Sequence, residues 1–475
     1  MTLSVARKLA ILHEIAPFLA SWSDYQARYR GATGVQLAVA YRGELVLEHA
    51  WGLANAETEE PLTPRHLFRI ASHSKTMTAV IVLRLAERGV LRLDDAAGRH
   101  VAEIAGTEAG AVTVRELLGH QAGIIRDSSD GDFWQRGRDF PDAEELVGIL
   151  RREGRVFASN ERFKYSNIGY ALLGLVAERA TGRSYADLAE ELVVRPLGLG
   201  ETGPEYDPSR ADAYAAGHTG RIGHADARRV IPHVDTRALA AATGWYSTAS
   251  DLTRYAAAHV HGDESMLSDA SKRLMQRPES RIAMRGLPES VYGLGLDVQK
   301  IAGIDLVGHS GGYPGHITRT WLDPRDGLTV TVLANDVDGP AGPLSAGIVH
   351  LVSLAWSAAE EEPEGVPDAL AFSGRFANLW GVVDVVDLGG ILHVVASRAP
   401  EPAAGATRLV VEDGRLVREP VAGYHETGEP VSVVRDDDGR IARIRLGSMT
   451  YWPFEVFDEA MSQTRPQERL GRLSL

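Results

Sequence analysis

Two serines and a lysine stand together in "FRIASHSKTMTAVIVLRLAERG", residues 68–89. A serine hydroxyl is a weak nucleophile until a base takes its proton. On a helix, residues three apart share a face, whereas adjacent residues do not meet. Ser72 lies three residues before Lys75 and Ser74 lies next to it, so the spacing selects Ser72 as the partner of Lys75. Ser72 is expected to open the helix, where unpaired backbone N–H groups favour developing negative charge. Lys75 can act as a base when neutral, and burial would lower its pKa in that direction. Alone, the pattern says little, because serine at a helix start is most often only a cap.

Two further clusters change that weight. "RFKYSNIGYALLGLVAERATG" (162–182) places Tyr165 and Asn167 ahead of an apolar helical run. A tyrosinate beside a lysine ammonium can be a general base, and its phenol can protonate a leaving group. The Asn167 amide can bond both a lysine and a substrate carbonyl. "GHSGGYPGH" (308–316) places His309, Gly311 and Gly312 on a strand edge. Gly312 is expected to bring a backbone N–H close to an oxyanion.

Ser-x-x-Lys, then Tyr-x-Asn, then His-x-Gly, in that order, resembles the penicillin-recognising serine hydrolases: class C β-lactamases, D-alanyl-D-alanine carboxypeptidases, D-aminopeptidases and related esterases. The likeness runs from about residue 34 to 357 and includes "LRLDD", "VRELLGHQAGI", "RPLGLGETG" and "TGWYSTASDLTRYA". It implies that Ser72 is acylated, that Lys75 and Tyr165 share the general-base work, and that Tyr165 protonates the leaving group. It also implies that Asn167 holds Lys75 and the substrate amide, and that the N–H groups of Ser72 and Gly312 form an oxyanion hole. His309 stands where β-lactamases carry the Lys of Lys-Thr-Gly. His-Ser-Gly therefore lacks a fixed positive charge for a substrate carboxylate, a variant resembling esterases, D-aminopeptidases and peptide hydrolases. A peptide-cyclising thioesterase of the penicillin-binding-protein type is the alternative. No metal or organic cofactor is implied. The partner is a small-molecule or peptide substrate. The acyl group, the leaving group, the acceptor and the oligomeric state are left open.

Rival readings carry less. "GHSGG" also satisfies G-x-S-x-G with Ser310 as nucleophile, but that elbow needs a helix next, and "GGYPGHITRTWLDP" reads as a strand. "HVHGDE" (259–264) lacks the last histidine of a zinc motif and reads as a solvated helix end. His120 reads as a loop-structuring residue near the site, and Asp251 as a helix-start carboxylate. A non-turnover sensor on the same fold is disfavoured because all three motifs are intact.

Several elements must position these residues. "GVQLAVAYRGELVLEHAWG" (34–52) reads as a hairpin around Arg42-Gly43. Met77 to Leu85 is apolar nearly all round, as in a helix buried on every side, and Gly89 is placed to stop it. Three successive strands are expected over 304–335 and a closing helix over 343–359. "EEEPEGVPD" (360–368) reads as a linker. Beyond it, short strand-like runs separated by Gly389-Gly390, Asp413-Gly414 and Asp438-Gly439 predict a small all-β barrel or sandwich. The expected fold class is α+β: a β-lactamase/penicillin-binding-protein-like antiparallel sheet with flanking helices and a helical region (1–359), a linker (360–370), and a β-barrel domain (371–475) that resembles the lipocalin-like additions to such hydrolases.

Composition sets outer bounds. The 475 residues carry 50 Lys and Arg against 64 Asp and Glu, a formal charge of −14, which disfavours a nucleic-acid partner. There is no cysteine, so disulfides, thiol catalysis and thiolate metal sites are excluded. Val5, Leu9, Leu12, Ile15 and Leu19 recur at helical spacing, as in an amphipathic packing helix rather than a signal peptide. No stretch reads as a membrane span, and a cytoplasmic location is expected.

Overall fold

The computed structural model describes residues 3–221, 227–286, 289–361, 372–422, 426–462 and 473. All of the expected linker but Glu360 and Glu361 lies outside the described residues. The chain divides into two compact units, Arg30–Ser345 and a second made of Met1–Tyr29 with Ala346–Leu475.

The first unit is built on a nine-stranded sheet. Its strands are β1 (Gly34–Tyr41), β2 (Glu44–Asn55), β3 (Glu60–Pro61), β4 (Ser280–Ile282), β5 (Ser290–Tyr292), β6 (Asp297–Ile301), β7 (Ile304–Tyr313), β8 (His316–Leu322) and β9 (Leu328–Ala334). They are ordered β3-β2-β1-β9-β8-β7-β6-β5-β4, with antiparallel pairing. The β1–β2 hairpin turns at Arg42 and Gly43, both at positive φ (51° and 83°), as two-residue hairpin turns require. β1 and β9 are buried at every position, which fits near-continuous apolar runs at the sheet centre.

The helical part of this unit centres on two helices, Ser74–Glu87 and Asn167–Thr181. The first is buried continuously from Ser74 to Leu83, and Gly89 follows its end at φ 71°. The second starts on a Ser166 cap, whose Oγ accepts from Gly169 N at 2.8 Å, and ends at Gly182 at φ 70°. Both pour apolar side chains into one core with Trp245, Leu252 and Leu296. Each fully buried Val, Leu or Ile there contributes roughly 1.5–3 kcal/mol.

In the second unit, the helix Val5–Arg30 buries Ile11, Leu12, Ile15, Leu19 and Trp22. It packs with the helix Ala341–Ala359: a Cβ on Gly347 would lie 2.2 Å from the Trp22 ring, so only glycine permits the approach. Eight strands follow: β10 (Gly374–Asn378), β11 (Gly381–Leu388), β12 (Ile391–Ala396), β13 (Thr407–Glu412), β14 (Arg415–Arg418), β15 (Val431–Arg435), β16 (Ile441–Leu446) and β17 (Met449–Pro453). Their order is β14-β13-β12-β11-β10-β17-β16-β15. A bridge between Val417 and Pro430 nearly closes this sheet into a barrel. Phe376, Val385, Leu392, Val394, Leu409, Ile444 and Leu446 fill its interior. Gln26 Nε2 donates to Ser397 O at 2.6 Å, tying the barrel to the first helix.

Among the described residues, Ala341–Ala359 is long and apolar enough to cross a membrane by length and composition only, a test that a core helix also passes, and 61% of its most apolar window is buried inside the structure.

Candidate active site

Ser72 sits in a 3₁₀ turn, Ala71–His73, immediately before the Ser74–Glu87 helix, rather than on the helix's first turn as expected. The turn is held against the sheet. Ile70 N donates to Trp245 O at 2.9 Å. The His73 ring contacts the Thr318 and Thr320 hydroxyls on β8 at 3.0 and 3.1 Å. Ala71 adopts φ 49°, a left-handed conformation uncommon for a residue with a Cβ and recurrent at functional sites.

The two serines are physically different. Ser74 is fully buried; its Oγ donates to Ala71 O at 2.5 Å and accepts from Trp245 N at 3.1 Å. Ser72 is half-buried, and its Oγ lies 3.1 Å from Lys75 Nζ. The three-residue spacing survives the change from 3₁₀ to α geometry because both keep i and i+3 on one side.

Lys75 is 0% exposed, and Nζ also donates to Asn167 Oδ1 at 2.8 Å and Ala242 O at 2.9 Å. Ala242 belongs to a π turn, Ala240–Gly244, that aims two carbonyls at the helix; the other, Ala241 O, accepts from Thr78 Oγ1 at 2.6 Å. Burial holds the Lys75 ammonium well below its usual pKa, with Asp127 opposing and Arg126 adding to the shift.

Tyr165 is half-buried, presents its ring 4.8 Å from Lys75 Nζ, and has the Ser72 hydroxyl near enough to its phenol to act on its pKa. Burial raises its phenol above the usual range, against the effect of the Ser72 hydroxyl. The resting group is therefore a neutral phenol and not the tyrosinate considered from sequence. Asn167 is the first residue of its helix, and its Nδ2 donates to Asp127 Oδ1 at 2.7 Å. His120 is buried at φ 56°; its Nδ1 accepts from Ser166 N at 3.2 Å and its ring centroid lies 4.3 Å from that of Tyr165. It thus braces the segment that carries Tyr165 and Asn167.

The β7 residues frame the site from the sheet. β6 stops at Asp297, opposite Gly308, and β8 pairs with the other side of β7 through Tyr313. Among the described residues, His309–Tyr313 therefore have a strand on one side only. The pair Tyr313/His316 closes a two-residue turn and exchanges hydrogen bonds, and the antiparallel alternation then turns the N–H of Gly312 toward the open edge. His309 is buried; its ring nitrogens contact Tyr292 OH at 3.0 Å and Ser310 O at 2.5 Å. Burial pulls its pKa down to about 4, so it is neutral at pH 7.

The two glycines differ in what they allow. A Cβ on Gly311 would lie 2.3 Å from both Ile70 O and Thr318 Oγ1, so glycine is what lets the Ser72 turn rest on β7. A Cβ on Gly312 would meet only Ile317 Cδ1 at 3.7 Å, on an exposed face.

The rival motifs resolve differently. Ser310 is followed by strand and turn, with no helix, and it is exposed on the β7 face away from His309. His259 is buried and not solvated as expected. Among the described residues, no group of three or more His, Asp or Glu is placed to hold a metal. Asp251 lies in the first turn of Ala249–Ala257 and accepts from Glu201 N at 2.8 Å. Sequence reasoning missed Arg126, Asp127, the Ala242 carbonyl and Tyr292. None belongs to a spaced pattern, and the carbonyl has no side-chain signature at all.

This fold and arrangement define a class: a lysine-held, half-buried serine between a helical region and an antiparallel sheet. The Beta-lactamase family model matches residues 22–352, and the chain belongs to that family. Penicillin-binding protein 4* of Bacillus subtilis is 31% identical over 304 residues, covering 60% of this chain and 65% of that relative. Esterase EstB of Burkholderia gladioli is 29% identical over 366 residues, covering 68% of this chain and 92% of the relative. The crystal structure of SurE covers 92% of this chain and 99% of its own, with TM-score 0.60 and 26% identity.

Proposed function

We propose that the protein is a serine hydrolase that cleaves an ester or amide bond through an acyl-enzyme on Ser72. The observation that carries this reading is the Lys75 amine, fully buried, shifted toward its neutral form, and 3.1 Å from the Ser72 hydroxyl. A neutral amine has two N–H bonds and one lone pair. Asn167 Oδ1 and Ala242 O are acceptors only and take the two N–H bonds. The lone pair then faces Ser72 Oγ and accepts its proton as the oxygen attacks the carbonyl.

The neutral Tyr165 phenol, beside the same hydroxyl, donates its proton to the leaving group and is left as tyrosinate next to the Lys75 ammonium. That tyrosinate then takes a proton from the water that attacks the acyl group, and the Lys75 ammonium returns its proton to Ser72 Oγ as the acyl group departs. The N–H groups of Ser72 and Gly312 receive the oxyanion. The likeness to an esterase over 92% of that relative's length supports ester cleavage.

The test is intact-mass spectrometry after a fluorophosphonate or 4-nitrophenyl ester, followed by peptide mapping. A single adduct on Ser72 is expected. An adduct on Ser310, or none, overturns the reading.

A further inference from the structure

The loop that carries Asp127 also carries a cation, Arg126, whose terminal nitrogens are unpartnered among the described residues. Arg126 is held in place through its backbone: its carbonyl accepts from Asn167 N at 2.8 Å and Ile168 N at 3.1 Å, at the start of the helix that positions Asn167. Its guanidinium lies 6.0 Å from the Tyr165 ring centroid, and its side chain is 65% exposed. Nε sits 3.2 Å from Asp127 Oδ2, and among the described residues the terminal nitrogens have no acceptor.

Asp127 engages only Nε of that guanidinium, so among the described residues its terminal fork is left without an acceptor. Asp127 Oδ1 is already taken by Asn167 Nδ2 at 2.7 Å and by Trp134 Nε1 at 2.8 Å. Asp297, the other nearby carboxylate, is paired with Arg319 at 2.6 Å. His309, His120 and Lys75 are held toward their neutral forms by burial. The guanidinium and Lys75 Nζ lie 6.0 and 4.8 Å from the centroid of the same Tyr165 ring, which places Arg126 beside the reacting atoms and not at a distant rim.

We propose that Arg126 is a specificity-determining residue that pairs with a carboxylate on the substrate, so that the preferred ester or amide carries a negative charge near the scissile bond. A guanidinium fork with both terminal nitrogens free matches a carboxylate's two oxygens. It supplies from the helical side the positive charge that His309 does not supply from β7. The inference rests on the hydrolase reading above.

Two matched ester pairs test it on the full chain at low ionic strength. One puts the charge on the acyl side, 4-nitrophenyl hydrogen succinate against 4-nitrophenyl butyrate. The other puts it on the leaving group, 3-(butanoyloxy)benzoate against 3-(butanoyloxy)benzamide. The wild-type chain is expected to favour the anionic member of one pair by about 10-fold in kcat/KM, mostly through KM, the effect of one close charge pair. Arg126→Gln should bring that ratio near one whatever it does to the absolute rates, and Arg126→Lys should keep part of it. Salt of about 0.5 M should shrink the wild-type ratio, because the pair is exposed.

A wild-type ratio near one in both pairs, or a ratio that survives Arg126→Gln, overturns the proposal while the hydrolase reading stands. A wild-type chain that turns over none of the four esters overturns the hydrolase reading and this inference with it.

Discussion

The two units bury different chemistry. In the barrel, buried charges are closed off by structural partners. Asp384 is bonded by Arg375 at 2.8 and 3.3 Å, and Arg418 by Thr407 at 2.7 Å and Glu426 at 3.1 Å. In the Arg30–Ser345 unit, a buried lysine and buried histidines at 73, 120 and 309 are gathered around one half-buried hydroxyl. Burial of a titratable group is costly in both units. Only in the Arg30–Ser345 unit are such groups gathered around one hydroxyl, which is the arrangement the proposed chemistry needs.

The largest effect should come from breaking the nucleophile. Ser72→Ala is expected to remove at least ~10⁴-fold of turnover, and Ser310→Ala to stay within a few-fold of wild type, measured on a 4-nitrophenyl ester. An active Ser72→Ala chain would place the chemistry elsewhere. Lys75→Met should lose at least ~10³-fold, because among the described residues the other group beside the hydroxyl, Tyr165, rests as a neutral phenol. It should also cost about 1–3 kcal/mol through the unpaired Asn167 and Ala242 acceptors, read by urea melts. Tyr165→Phe should reduce kcat at least ~10²-fold while the fold is kept; wild-type kcat would remove its proton role.

The comparison also predicts an acid sensitivity centred on the Arg30–Ser345 unit. His309 and His233 are held down to about 4, and His259 to about 3, by burial. Between the ordinary histidine pKa of about 6.5 and these values, the unfolded chain binds protons that the folded chain does not. Stability should therefore fall as pH drops from about 6.5 toward 4, and His309→Gln should flatten that slope by about one proton. A denaturant midpoint that stays level across this range would contradict it. The smallest and sharpest contrast lies between neighbouring glycines. Gly311→Ala should destabilise by about 1–3 kcal/mol through overlap with Ile70 O. Gly312→Ala should change stability by less than about 0.5 kcal/mol and act on kcat/KM alone.

Much of this was legible in the residues. The hairpin at Arg42-Gly43, the buried helix after Lys75, the successive strands over 304–334 and the turn-punctuated barrel all follow from short-range periodicity and turn chemistry. The Ser72–Lys75 pair was legible for the same reason, since three-residue spacing fixes a shared face whether the turn is α or 3₁₀. Other features depend on residues far apart in sequence. The steric need for glycine falls at 311 because Ile70 crosses β7 there. His259 is buried because tertiary packing covers a helix end that local polarity reads as solvated.

The sequence by itself determined the order of the three motifs, the class of both units and which serine a lysine can reach, because each is set by spacing along one chain. Only the tertiary structure decided the protonation states on which the proposed mechanism rests. Desolvation turns Lys75 toward a free amine, raises the Tyr165 phenol and lowers the His309 imidazole. Those outcomes depend on which distant atoms exclude water from each group, which no local pattern encodes.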